Sequence, residues 1–315
     1  MRKLLISIVL SVVLIILTQI AMPGTKAAFG QVTLSFQPSF GESLHYKVGT
    51  VTNANVNGTP TKVIDETKIT VLARKVAPNP AKGDTLIQKR GGVLPDSLIE
   101  LLVRYDAMDY GYFVNEKPLE SRELEDQKQK LVGRVISIRL TADGKLAGWT
   151  IPRGLGYGQD ELDVGEATAA ELSSYLFPTP QKPLSQGDSW ERSFEFPIKS
   201  KKGGQITTTV SESYTFEGTA KKKKEECAKL KVVTTNISEG EVEISQERRK
   251  GKLWVDSESH SKGEVIFSIQ RGLIIESSKS TKQETSVAFT LAGSTKAEEF
   301  TYSSETRTKI SLIEK

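Results

Sequence analysis

Beyond residue 30 the chain alternates. In Ser43-Leu44-His45-Tyr46-Lys47-Val48, the apolar Leu44, Tyr46 and Val48 fall on one side of an extended strand, with His45 and Lys47 on the other. Trp190, Phe194 and Phe196 share a side between Ser189 and Pro197, and Arg192 falls among them. Val210, Tyr214 and Phe216 form another set, as do Val265, Phe267 and Ile269. Period two with one apolar side predicts antiparallel sheets covered on one face. Asn57-Gly58 and Asp143-Gly144 accept positive φ and predict tight hairpins. The run from Lys221 to Glu226 lies between two strand-like segments, and its four lysines predict a solvated hairpin tip. Near the C-terminus, Thr308, Ile310 and Leu312 still alternate with Lys309 and Ser311.

Helix signals are few. Thr168-Ala169-Ala170-Glu171 has the form of a capping box ahead of Leu172, Tyr175 and Leu176, and Pro178 stops it. Leu124 and Leu131 predict a second short helix between Glu120 and Leu131. The chain also repeats itself. Gly41-Glu42-Ser43-Leu44 and Gly187-Asp188-Ser189-Trp190 each open an alternating strand, and Val135–Ile138 before Leu146 parallels Val265–Ile269 before Leu273. The expected fold is all-β with minor α: two related antiparallel β-units, curved sheets or part-barrels, joined by a short helical connector. The expected boundaries are a leader at 1–27, a first unit at 28–151, the connector at 152–185 and a second unit at 186–315.

The leader changes the compartment. Arg2 and Lys3 precede an apolar run from Leu4 to Leu17; Pro23 and Gly24 end it, and Thr25-Lys26-Ala27 supplies small residues for cleavage. This is the pattern of a secretory signal. The apolar run is also close to the length that spans a bilayer, so retention as a signal anchor stays open. No later segment is apolar enough to cross. Setting aside the three cations Arg2, Lys3 and Lys26 lowers the formal charge from +4 to +1, which removes the electrostatic case for a nucleic-acid partner. Cys227 is the single cysteine, so no intramolecular disulfide forms and the fold relies on its core. Its parity in Cys227–Val233 puts it with the lysines, opposite Ala228, Leu230 and Val232.

A leader, the Gly-acid-Ser strand openings, Phe177-Pro178 ahead of Gly187-Asp188-Ser189-Trp190, and Gly263-x-x-x-Phe267-x-x-x-x-Gly272-Leu273 together resemble a bacterial family of exported, β-rich, lipoprotein-like proteins of unknown function. The resemblance covers nearly all of the chain past the leader, through short structural motifs. It implies an exported β fold and no catalytic residues. This chain lacks the lipid-acceptor cysteine of such proteins.

Candidate chemistry is sparse. Gly187-Asp188-Ser189-Trp190 resembles the opening of a family of serine esterases, whose Asp and His lie two residues apart near the C-terminus; here Asp256 and His260 are separated by three. A turn entering a strand, used twice, is the simpler account. His45 and His260 are the only histidines and read as solvated positions. Asp160, Glu161, Asp163 and Glu166 lack the spacing of a calcium loop, and Gly154, Gly156 and Gly158 lack the Lys that a phosphate cradle requires. Asn57-Gly58-Thr59 and Asn236-Ile237-Ser238 match the glycosylation pattern. No catalytic, metal or cofactor residue is assigned.

Trp190, Arg192, Phe194, Phe196, Tyr214 and Phe216 are either core or the wall of a site for an apolar ligand. A charge at Arg192 fits a rim, a cavity mouth or an ion pair. The expected function is that of an exported, non-catalytic envelope protein, periplasmic or extracellular, that binds or carries an apolar small molecule or an exported protein partner. It would meet the membrane only through its leader. A structural or interaction protein of the envelope or matrix is the alternative.

Overall fold

The computed structural model describes residues 31–34, 40–79, 93, 95–120, 122–142, 146–151, 162–163, 169, 180, 182–246 and 249–313. Fifteen strands and one helix are formed by them. The strands are β1 (Val32–Thr33), β2 (Ser43–Val56), β3 (Thr59–Val76), β4 (Leu98–Val114), β5 (Lys117–Pro118), β6 (Val135–Leu140), β7 (Leu146–Thr150), β8 (Leu162–Asp163), β9 (Pro183–Leu184), β10 (Ser189–Ser200), β11 (Gly204–Lys222), β12 (Glu225–Gln246), β13 (Arg249–Ser268), β14 (Leu273–Leu291) and β15 (Ala297–Ile313). The helix, α1, is Arg122–Leu131.

All but β1 and β9, which pair with each other, join one 13-stranded sheet. Its order is β7-β6-β4-β3-β2-β15-β14-β13-β12-β11-β10-β8, with β5 on β4. Every pairing is antiparallel. The two halves of the chain therefore meet edge to edge: the last strand, β15, pairs with the first long one, β2, from Tyr302↔Val56 to Ile313↔His45. What the alternation predicts as two units is one continuous sheet among the described residues. Of the expected connector, only β8, Ala169, Pro180 and residues 182–185 are described, so the predicted helix after Thr168 falls outside them apart from Ala169. The expected helix before Leu131 is α1.

The turns form as their residues dictate. Asn57 and Gly58 take φ of 48° and 81° and close β2 on β3. Between β11 and β12, Lys223 and Lys224 hold φ of 50° and 65°, values costly for a side chain with a Cβ. Lys224→Gly is expected to raise stability by up to about 1 kcal/mol in a denaturant titration. The Asp143-Gly144 turn lies outside the described residues. Two local matches link the halves. Gly41 N donates to Ala73 O at 3.0 Å ahead of Ser43↔Leu72, and Gly187 N donates to Phe216 O at 2.8 Å ahead of Ser189↔Thr215. The β6–β7 and β13–β14 ladders each carry one bulge next to the hairpin, at Ala147 and at Ile275.

The strands are long. At about 3.4 Å per residue, the 22 residues of β12 span roughly 70 Å. One face of the second half is exposed and charged: Lys252, Asp256, Glu258, His260 and Lys262 on β13 all point to solvent. The other face is dry in three zones. At one end lie Leu34, Leu184, Phe216, Ala228, Leu230, Val232, Val265, Phe267 and Ile274. At the other lie Phe196, Ile198, Ile206, Val210, Val242, Leu253, Val255, Val287 and Phe289. Between them runs a belt of hydroxyls.

That belt is the unexpected part of the fold. Thr234, Ser261, Thr281, Thr306 and Thr52 stand opposite one another on five consecutive strands. Their exposures are 4%, 2%, 1%, 3% and 1%. The hydroxyls satisfy each other across the strands: Ser261 with Thr281 at 3.1 Å, Thr306 with Thr52 at 3.0 Å, and Ser257 with Thr285 at 2.7 Å. Thr208 with Ser238 at 2.9 Å and Thr50 with Thr308 at 3.3 Å extend the pattern. Long strands twist, and a sheet this wide coils. Short side chains fill the middle of its dry face, and a hydroxyl is tolerated there only with a partner.

The first half is filled by Leu44, Tyr46, Val71, Leu101, Val103, Ile136, Ile138 and Leu140 with Leu131 of α1. Cys227 belongs to this cluster and is fully buried, so the expectation that it faces outward with the lysines is corrected. Its neighbour Ala228, on the other face, is fully buried as well, so both faces are covered at this end of the sheet. Burial pushes the Cys227 thiol up, away from the reactive thiolate.

Candidate ligand-binding site

The expected aromatic set assembles on β10 and β11. Trp190, Arg192, Phe194 and Phe196 alternate with outward Glu191, Ser193 and Glu195, so all four fall on the dry side. Register places Trp190 opposite Tyr214, Arg192 opposite Glu212 and Phe194 opposite Val210. Trp190 stacks on Tyr214 with centroids 5.3 Å apart and planes 10° apart. The Arg192 guanidinium lies 5.6 Å from the Phe194 ring centroid and 5.7 Å from that of Tyr214. Phe194 and Phe196 meet at 6.3 Å. The result is a ladder of rings with a cation between them, on the outermost long strand.

Phe216 stands apart. It is fully buried at the base, among Leu230 and Phe267, and acts in packing.

Arg192 is explained by a residue the alternation passes over. Glu212, 2% exposed, receives a hydrogen bond from Arg192 Nε and one from Tyr214 OH at 2.7 Å. Burial alone would raise the Glu212 carboxyl. Arg192 and Lys279 beside it, with the Arg192 and Tyr214 hydrogen bonds, hold it below the usual carboxylate range. Burial pushes the Tyr214 hydroxyl far up, so it stays a donor. Of the three charge sites predicted for Arg192, the ion pair is present.

Lys279 is the other residue that sequence reading misses. It is 9% exposed, and two strands, β13 and β12, lie between its own and that of Glu212. It crosses Gly263, which faces it in the β13–β14 register. A Cβ at Gly263 would stand 2.6 Å from Lys279 Cγ and 2.6 Å from Ser278 O. Gly263→Ala is therefore expected to displace Lys279 and cost about 1–3 kcal/mol, read as a lower denaturation midpoint.

A third buried charge faces the belt from the first half. Asp65 lies between Thr50 and Tyr110 in register and is 8% exposed. Burial pushes its carboxyl up to about 6, with the charges of Asp109 and Glu66 adding and the Thr67 hydroxyl opposing. A raised carboxyl pKa means that the ionised form is disfavoured in the fold. Stability falls as pH rises from the unfolded value of 3.8 toward about 6. Asp65→Asn is expected to raise Tm at neutral pH, with the gain gone near pH 4.

The remaining candidates do not converge. Ser189 and His260 both face outward, but two strands, β11 and β12, and several residues of register separate them. Ser189 Oγ pairs with Thr215 Oγ1 at 3.1 Å, and His260 Nε2 with Glu258 at 3.0 Å. His45 is half-buried where solvation was expected: Nδ1 meets Thr70 Oγ1 at 2.9 Å, and Thr70 donates to Asp106 at 2.5 Å. Asp163 is in β8, whereas Gly154, Gly156, Gly158, Asp160, Glu161 and Glu166 lie outside the described residues. No group of three or more metal-ligating side chains occurs among the described residues. Asn57 is exposed at its turn, with Oδ1 accepting from Thr301 N at 2.8 Å. Asn236 faces the belt, with Nδ2 donating to Ser259 at 3.1 Å. No helix among the described residues is long and apolar enough to cross a membrane.

No family model matches the chain, and no curated protein matches it. Among solved structures, the outer membrane protein opdK from Pseudomonas aeruginosa is similar at 6% identity, over 87% of this chain and 100% of that one, with a TM-score of 0.15. A likeness that low carries no argument about fold or function.

Proposed function

We propose that this is an exported, non-catalytic binding protein of the cell envelope that holds an apolar ligand against the Trp190–Arg192–Phe194–Tyr214 ladder. The observation behind the reading is a charge in the wrong place for a sealed core. Arg192 stands on the dry side of β10 with 26% of its side chain exposed, between two rings and anchored by a buried carboxylate. A core that needed only stability would place an apolar residue there, because a buried ion pair rarely outperforms one. Trp190 and Phe194 beside it are also only half-buried, which keeps apolar surface within reach of a ligand.

Export rests on the leader pattern before residue 28 and leaves the folded body periplasmic or extracellular. The matched hydrogen bonds of Gly41 and Gly187 and the matched bulges support two related β-units, fused through β15 and β2. A non-catalytic role is consistent with the separation of Ser189 from His260. Native mass spectrometry of protein extracted from its own envelope tests the reading. An apolar adduct that disappears in the Trp190→Ala, Phe194→Ala double variant supports it; bare chain mass in the wild type contradicts it. The same spectrum gives the N-terminus and decides whether the leader is removed.

One observation favours the alternative of a structural or interaction protein. On the exposed face, Glu239 stands opposite Asp256, and Glu258 opposite Glu284. Like charges directly opposed across strands are destabilising, and a partner contacting that face would relieve them.

A further inference from the structure

On the face opposite the aromatic ladder, we infer that the outer surface of β12–β15 is a two-fold interface between two copies of this chain. The charge of that surface changes sign along the strands. The row Thr235, His260, Lys282 and Glu305 divides it. In the next two rows on one side stand Glu239, Asp256, Glu258 and Glu284, with no cation among them. In the next two rows on the other side stand Lys231, Lys262, Arg307 and Lys309; Glu264, the one acid there, is held by Lys229 at 3.0 Å. All eight are exposed, and Glu239, Asp256, Glu284, Lys231 and Lys262 form no ion pair among the described residues. A surface of opposite sign offsets the opposed acids, and the chain itself carries one. A two-fold axis along the His260 row, in the plane between the copies, lays Glu239 against the partner's Lys231 and Glu258 against the partner's Lys262. The same rotation sets Ile237, 46% exposed, against the partner's Val233, and Val233, 38% exposed, against the partner's Ile237. Packed sheets lie about 10 Å apart, a gap that Glu and Lys bridge from both sides. From Trp254 to Ile266 the four strands present roughly 40 by 19 Å, about 800 Å² a side, the size of a standard specific interface. The apolar centre is small and the rim charged, so the pairing is expected at micromolar strength, and dilute chains keep this face open to solvent. This interface supplies a partner for the second reading above and is independent of a ligand at the ladder.

Sedimentation velocity of the purified protein from about 1 to about 100 μM tests the assignment. A monomer–dimer equilibrium is expected, weakened roughly tenfold or more between about 0.05 M and about 0.5 M salt. The Glu239→Lys, Glu258→Lys double variant is expected to be monomeric, because two cations then meet the partner's Lys231 and Lys262. The Lys231→Glu, Lys262→Glu double variant is expected to be monomeric for the converse reason. An equimolar mixture of the two variants is expected to regain the dimer, since every contact then joins opposite charges; that recovery also shows that both variants are folded. Monomeric wild type at about 100 μM and low salt overturns the interface. So does a dimer that withstands both double variants, or a mixture that stays monomeric. None of these outcomes touches the ladder on the opposite face, whose own test is the apolar adduct described above.

Discussion

Glu212→Gln is expected to cost about 3–5 kcal/mol in equilibrium denaturation, as for other buried pairs broken by removing one partner. The loss falls on three groups at once. Arg192 keeps its charge without its counter-ion, Tyr214 loses a charged acceptor for its hydroxyl, and Lys279 loses the carboxylate toward which it reaches. The pH dependence has a fixed sign. The Glu212 carboxyl is held below its usual value in the fold, so its contribution is present above the unfolded pKa and is lost as pH falls through the folded one. The wild type should therefore weaken in acid more steeply than Glu212→Gln. An acid limb of unchanged slope would show that Glu212 is not ionised in the fold.

Phe267→Ala is expected to be comparably severe, at about 3–5 kcal/mol, through lost burial and the cavity left behind. Phe267 is fully buried against the cluster that holds Phe216, Leu230 and Leu184, where short strands β1 and β9 pack on the long sheet. Ile237→Ala is the matched control. Ile237 lies on the opposite face of neighbouring β12 and is 46% exposed, so its loss should stay within about 1 kcal/mol. Equal losses for the two would mean that the faces are assigned the wrong way round.

The sequence was most informative where large apolar residues alternate with charges. Leu44, Tyr46 and Val48 name their face because the residues between them are His45 and Lys47. The signal fails through the middle of β13 and β14. In Ser257–Ser261 and Ser277–Thr285 the inward residues are Ser, Thr, Lys and Gln, which read as solvent-facing, so the period-two contrast disappears where the sheet is driest. Lys279 was lost for that reason. Counting back by twos from Phe289 and Val287 would have placed it inward. Glu212 was recoverable by the same parity, between Val210 and Tyr214.

Other features lie beyond any local pattern. The pairing of β15 with β2 joins residues about 250 apart in sequence, as the Thr52–Thr306 hydroxyl contact illustrates. Alternation says that each strand wants neighbours and is silent about which ones. Cys227 misleads for a related reason. Parity assigns it to the outer face, but at this end of the sheet both faces are dry, as the full burial of Cys227 and Ala228 together shows.

One side of this sheet is dry through its middle, in the stretch built of hydroxyls. Single cysteines placed at adjacent residues of β13 test it most directly, with thiol labelling followed by intact mass; Cys227, fully buried, serves as the internal protected standard. Glu258→Cys should label at the rate of a free thiol. Ser259→Cys, one residue along and 1% exposed in the wild type, should label more slowly by a factor on the order of a hundred, because its reaction waits on opening of the sheet. Equal rates at the two positions would contradict the dry inner face.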